Sequence, residues 1–428
     1  MGDRFFGLIG VAVILGLAFL LSNNRRAIDL RLVFSGLAIQ ILLALFILKT
    51  AAGKIIFQWL GAGVTKILAF SDKGADFVFG SLVNTPMMEQ AFGVGNGFVF
   101  FFKIIPTIIF VAVLVSIAYH LGIMQRIVQV LARVVKVLMG VSGAEALSNI
   151  ASVFVGQVEA QIMIKPYIST MTKSELLASM SGSMACIAGG VLAVYVSLGV
   201  PAEYLLAASI MAAPGALVIS KIVFPETEVS PTKGDVKLTV EKTSYNLVDA
   251  ISHGAGDGLR IGLNVIAMLI GFIALIALLD FILGQFGSFL AFRLGIQVAA
   301  FPLQNLSTQL ILGKVFSLFA YVMGVPAKDI DMAGSLMGTK MVINEFVAYL
   351  SMAKEIKAGT LDPKTISIVT FALCGFANFS SIAMQVGGIS QLAPNRRKDL
   401  SELGFKALIV GTLASYLSAT IAGILFQG

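Results

Sequence analysis

VFVGQVEAQIMIKPY (Val153–Tyr167) sets a glutamate, two glutamines and a lysine in a stretch otherwise apolar enough for lipid. MVINEFVAYL (Met341–Leu350) does the same with Glu345. A carboxylate at the bilayer centre costs on the order of 2.5–3.5 kcal/mol on insertion scales, so it faces a bundle interior or a wet cavity and marks function by default. The alternative for Glu159 and Glu345 is a structural ion pair, for instance with Lys165 or Lys340.

The rest of the chain supplies the membrane. Of 428 residues, 57% are hydrophobic and 12% charged, where a soluble domain carries about 25% charged residues. Mean hydropathy is +0.94. The net charge of +7 needs no nucleic-acid partner, because Lys and Arg gather on cytoplasmic loops of membrane proteins. Cys186 and Cys374 lie apart in apolar segments, and His120 and His253 are the only histidines. That supply argues against a disulfide framework or a metal centre. His120 reads as an interfacial residue.

A spanning helix needs roughly 20 apolar residues. By that test the spans are 5–21, 32–49, 98–121, 174–198, 201–224, 262–284, 364–387 and 403–426. The first, with no cleavage site after it, reads as a retained helix rather than a signal peptide. SNNRRAIDLR (22–31) and PNRRKDL (394–400) are basic and should be cytoplasmic. Both termini then lie on the periplasmic side, in agreement with eight spans, which put both ends on the same face. IMQRIVQVLARVVKVL (123–138) is amphipathic and should lie on the membrane surface, as should 50–70. The polar stretch 227–246 reads as a solvated cytoplasmic loop.

Two segments, 142–168 and 332–354, are too polar in the middle for lipid-facing spans. Each precedes two strong spans, and they enter from opposite sides. That is the signature of an inverted-topology repeat with a solute site near the midplane. The fold expected is an all-α polytopic membrane protein with eight transmembrane helices and two oppositely oriented re-entrant hairpins. The organisation is 1–141, spans one to three with interfacial helices; 142–224, the first repeat; 225–331, a loop and span six; and 332–428, the second repeat.

CGFANFSSIAMQVGG (374–388) places Asn378, Ser380, Ser381 and Gln385 in the seventh span. Two readings stand: small-residue helix packing, or a locally unwound helix lining a site. SMACIAGGVLAVY (183–195) is its counterpart, with Gly189 and Gly190. GVGNG (93–97) adjoins no strand and is no nucleotide fingerprint; NLS (305–307) is a sequon by pattern alone. The chain reads as a secondary transporter for a neutral solute rich in hydroxyls or amides, since no phosphate-binding loop is present. Two other classes stay open. An intramembrane enzyme could use two carboxylates, although HExxH and a nucleophile elbow are lacking. A passive pore is the other.

GQVEA, NEFVAY and CGFANFSSIA, in this order, resemble the concentrative nucleoside transporter family. The resemblance runs from FLLSNNRRAI through GVPAEYLLAASIMAAPGAL to GTLASYLSATIAGILF. It implies a bacterial inner-membrane symporter for nucleosides, or for another neutral polar solute such as a nucleobase. It also implies a homotrimer without organic cofactor. Spans one, two, three and six would form a scaffold, and the hairpins with the other spans an elevator-like transport domain. Gln157 and Glu159 would read the base, with Val158 and Val191 beside it. Glu345 and Asn378 would bind ribose hydroxyls, Ser381 would lie near the 5′ end, and Phe376 would line the pocket. Val158 and Gln161 stand where the family has Thr and Pro. The family's sodium ligands map to Ser152, Val155, Cys186 and Ile187, where Ser152 replaces Asn and Cys186 replaces Ser. A thiol is a poor ligand for a hard cation. Coupling is therefore expected to be to H+ through Glu159 or Glu345, the alternative being a Na+ site rebuilt from Ser152 and backbone carbonyls.

Overall fold

The computed structural model describes residues 2–93, 97, 99–233, 244–293 and 303–426, and the regular structure among them is helical. The chain begins with α1 (Gly2–Leu20) and α2 (Leu30–Lys49), followed by α3 (Ala51–Leu68), α4 (Phe70–Phe79) and α5 (Thr85–Phe92). The long α6 (Phe100–His120) leads into α7 (Ile123–Met139). A hairpin of α8 (Gly143–Ala151), α9 (Glu159–Ile162) and α10 (Lys165–Ile168) follows. Next come α11 (Lys173–Ala185), α12 (Gly189–Leu198) and α13 (Ala202–Val223).

The second half repeats this order with α14 (Leu247–Ser288), α15 (Thr308–Val322) and a hairpin of α16 (Ile330–Val342) and α17 (Glu345–Ala358). It ends with α18 (Pro363–Leu373), α19 (Phe379–Leu392) and α20 (Arg397–Leu425). Long helix, short helix, hairpin, broken helix and whole helix thus occur twice in the same sequence.

Local signals start these elements where they do. SGAE and TKSE are capping boxes: the Ser142 and Thr172 side chains accept from the backbone of Glu145 and Glu175, whose carboxylates reach back to the cap N–H. Each satisfies two donors otherwise orphaned at a helix start. Asn344 and Asn378 cap α17 and α19 through Val347 N and Ser381 N. On α7 the buried residues are Val128, Ala132, Val135 and Met139. That single stripe suits the surface helix expected at 123–138.

Packing follows the logic of lipid. α13 and α20 are buried along most of their length, whereas α14 exposes Ile270, Leu278 and Phe281. α14 lies along α6 through Gly254, Gly258 and Gly262. A Cβ on Gly258 would come within 2.6 Å of Ile109 Cα, and one on Gly254 within 2.8 Å of Ala112 O. Small residues every fourth position let the two backbones approach closely.

Six described stretches are long and apolar enough to cross a membrane: Leu30–Lys49, Phe100–His120, Lys173–Leu198, Ala202–Val223, Leu247–Arg293 and Pro394–Leu425. The expected first span corresponds to the shorter apolar helix Gly7–Leu20.

Several expectations need correction. The fourth and seventh spans, bounded at 174–198 and 364–387, are each broken, at 186–188 and 374–378, so of the two readings of the seventh the locally unwound one holds. The second hairpin runs over 330–358 rather than 332–354. The helix expected at 50–70 ends at Leu68 and passes into α4. The sixth span, expected at 262–284, belongs to a helix of 42 residues. At 1.5 Å per residue that is roughly 63 Å, about twice a hydrocarbon core. α15, not expected from the sequence, packs along α16.

Of the polar stretch 227–246, residues 234–243 lie outside the described residues. Its first part is no free loop. Ser230 and Thr232 donate to the Glu175 carboxylate, and Thr232 O accepts from Gly143 N at 3.0 Å. Residues 230–232 therefore tie the starts of α8 and α11 together. His120 Nδ1 pairs with Ser244 Oγ at 2.7 Å. Of GVGNG, residues 94–96 lie outside the described residues, as do 427 and 428 at the C-terminus.

Candidate functional site

The two breaks and the two hairpin tips meet. Phe376 N, in the second break, donates to Cys186 O in the first at 3.3 Å. Gly189 N, opening α12, donates to Phe154 O in the tip of the first hairpin at 3.1 Å. Gly375 makes the crossing possible. Its φ is +139°, and a Cβ there would stand 2.7 Å from the carbonyl oxygens of Met184 and Ala185. Four half-helix ends therefore converge, and the unwound backbone between them is buried within protein, the condition for irregular chain at membrane depth.

Glu345 is 5% exposed and opens α17. Tyr195 Oη donates to its Oε1 at 3.1 Å, and Asn378 Nδ2 donates to its Oε2 at 3.2 Å. The amide orientation of Asn378 is fixed from its other end, because Oδ1 accepts from Ser381 N at 2.9 Å and Ser380 Oγ at 2.7 Å. Tyr195 is held by stacking on Tyr349, ring centroids 4.3 Å apart. The carboxylate and amide are thus fixed side by side.

The first hairpin contributes Gln157, whose Nε2 lies 3.4 Å from Ser381 Oγ and whose Oε1 accepts from Gln385 Nε2 at 3.3 Å. Glu159, which opens α9, is exposed and makes no hydrogen bond or ion pair among the described residues. Val158 is half-buried against α19; a Cβ on Gly388 would meet its methyl groups at 2.8 Å. Val191 and Phe376 are half-buried. Neither expected ion pair forms: Lys340 donates to Ala372 O at 2.8 Å rather than to Glu345, and Lys165 is exposed.

The residues expected to hold a cation divide. Ser152 Oγ donates to Ser148 O at 2.7 Å and lies 2.8 Å from Ser183 Oγ. Ser183 Oγ accepts from Gln161 Nε2 at 2.9 Å, and Gln161 Oε1 accepts from Ser179 at 2.7 Å. Cys186 and Ile187 are wholly buried and Val155 nearly so. Cys186 contributes its carbonyl to Phe376 N rather than its thiol to Ser152. Sequence reasoning gave no role to Tyr195 or Ser183, and offered Lys340 only as an ion-pair partner for Glu345. The one signal for Tyr195 was a hydroxyl within the apolar run GGVLAVYVSL.

Inverted repeats, broken helices and a buried carboxylate–amide pair at their crossing define a secondary transporter with a midplane solute site. The chain matches the family described as Na+ dependent nucleoside transporter at its C-terminal part over residues 204–423 and its N-terminal part over 9–82. A nucleoside recognition (Gate) family matches over 101–202. A nucleoside permease of Helicobacter pylori, NupC, is 38% identical over 425 residues, covering 99% of this chain and 98% of the relative. An uncharacterized transporter of Haemophilus influenzae is 44% identical, covering 97% and 96%. CNTnw in an inward-facing substrate-bound state superposes with a TM-score of 0.90 at 41% identity, covering 99% of this chain and 98% of that one. The chain belongs to the concentrative nucleoside transporter family, and its activity is cation-coupled nucleoside symport.

Proposed function

We propose that the pair Glu345–Asn378 grips the ribose hydroxyls, and that the symport is driven by protons. The hydrogen-bonded set Tyr195–Glu345–Asn378 carries the first part. The carboxylate accepts, and the Asn378 amide, its Oδ1 already taken by Ser381 N and Ser380 Oγ, keeps one N–H to donate, so together they take two vicinal hydroxyls. Gln157 and Glu159 face the base. Glu159, exposed and unpaired, is free to reach it directly or through water. Val158, where the family resemblance places Thr, removes one hydroxyl from that side.

The serine network supports proton coupling. The Ser152 hydroxyl is engaged by Ser148 O and Ser183, and Ser183 is engaged by Gln161. A sodium ion would have to displace these bonds and then accept a site with a thiol where a hard cation prefers oxygen. The proton is carried by one of the two carboxylates, Glu159 or Glu345. The chain would work as a homotrimer in the inner membrane, both termini periplasmic, with 142–224 and 332–428 moving against the remaining segments.

The experiment is uptake of labelled uridine into proteoliposomes under an inward proton or an inward sodium gradient, applied one at a time. Accumulation under the proton gradient alone is expected. Accumulation under sodium alone overturns the coupling assignment. Uptake under neither overturns uridine as the substrate.

A further inference from the structure

Lys221 and Lys340 are both buried, at 4% and 1% exposure. Lys221 is answered by Glu145 at 2.7 Å and Glu226 at 3.7 Å. Lys340 forms no ion pair among the described residues, and its hydrogen bond goes to the Ala372 carbonyl at 2.8 Å. A buried ammonium left without compensation is strongly disfavoured; the buried Glu345 carboxylate offsets Lys340 from a distance, without an ion-pair contact, and the direct contact needs its own account.

The place of Ala372 supplies the answer. It lies in the last turn of α18, where carbonyls lose their partners within the helix and the dipole presents its negative end. The other side chains donating there are neutral: Tyr349 to Thr370 O at 2.7 Å and Ser415 to Cys374 O at 2.9 Å. Lys340 brings the one full positive charge. In the first repeat the same two elements meet, the end of the first hairpin arm and the end of the first half-helix. There the contact is Ser152 with Ser183 at 2.8 Å, and both groups are neutral.

We propose that Lys340 is a positioning residue, a tethered cation that docks the second hairpin on the negative end of α18. Its joint holds the start of α17, with Glu345, against the start of α19, with Asn378. The second repeat thus carries its cation covalently, and the first does not. Transport needs the second hairpin to keep its grip on the solute, and a charge that cannot dissociate secures it.

The test is uridine affinity of purified protein in detergent, where no ion gradient complicates the measurement. Lys340→Ala is expected to weaken binding by about tenfold or more, since the carbonyl end of α18 loses its buried cationic partner. Ethylammonium, which matches the deleted end of the side chain, should restore binding with saturation. Ethanol, uncharged and of similar size, should not, and neither should alter the unsubstituted protein. Lys340→Arg should bind better than Lys340→Met. Equal rescue by ethanol, no rescue by either, or a Met variant binding as well as the Arg variant overturns the proposal. Where the Ala variant resists purification, the same additives are compared on the yield of monodisperse protein. A gain with ethylammonium alone supports the tethered cation, and equal or absent gain overturns it.

Discussion

Replacing Glu345 by Gln removes charge while leaving shape, and the neighbouring side chains determine where the loss falls. The carboxylate receives Tyr195 Oη on one oxygen and Asn378 Nδ2 on the other. Asn378 cannot turn its amide without losing Ser381 N and Ser380, so the Gln carbonyl must face Asn378. The Gln NH2 then faces Tyr195, whose hydroxyl rotates to accept. The local hydrogen bonds survive, and the solute bears the loss. A hydrogen bond to a charged group contributes about 1.5–3 kcal/mol against about 0.5–1.5 kcal/mol for a neutral one. Two ribose hydroxyls then lose about 2–3 kcal/mol, roughly 30- to 150-fold in affinity. The assay is equilibrium binding of uridine and 2′,3′-dideoxyuridine to the purified protein and to Glu345→Gln. Uridine should weaken by that factor and the dideoxy analogue hardly at all, so that discrimination between them collapses. Equal weakening of both ligands would refute the assignment of Glu345 to the hydroxyls.

Tyr195→Phe should weaken uridine roughly tenfold, because the carboxylate loses the donor that fixes Oε1. Combined with Glu345→Gln, the losses should sum to less than their total, since both residues act through one contact; full additivity in the double-variant cycle would count against the link. Gly375→Ala should lower the unfolding midpoint and abolish binding. A φ of +139° strains any L side chain by about 1–3 kcal/mol, and the new methyl would press on the carbonyls of α11. A variant that melts and binds like the parent would show that the helices do not cross there.

The carboxylates were legible because an acidic residue in an apolar stretch is conspicuous, and both fall where expected, at the turn of a hairpin. The positions of the breaks were harder to read. Cys186, Ile187 and Ala188 are apolar, so a hydropathy window runs straight across them from α11 to α12. The second break carried a better signal: Asn378 is a preferred N-cap residue inside a span, and it does start a new helix. α15 escaped notice because its 15 residues fall short of a span and include Thr308, Gln309 and Lys314. Gln161, noticed as a departure from Pro, gained meaning only when its amide met Ser183 and Ser179. Lys340 pairs with a backbone carbonyl, and backbone acceptors leave no trace in sequence.

The two glutamates show how a fold tolerates acid at membrane depth by different means. Both open the second arm of a hairpin, at a helix N-terminus where negative charge is favoured. α17 has 14 residues, long enough for a developed dipole, and Glu345 there is buried with two side-chain donors. α9 has four residues and little dipole to offer; Glu159 correspondingly stays exposed and unpaired. Support and burial thus rise together, as the cost of desolvating a carboxylate demands. In the proposed arrangement the rigid carboxylate would suit an invariant partner, the ribose, whose hydroxyls always present the same geometry. The free one would suit the part of a nucleoside that varies, the base, which must be met in more than one pattern of donors and acceptors.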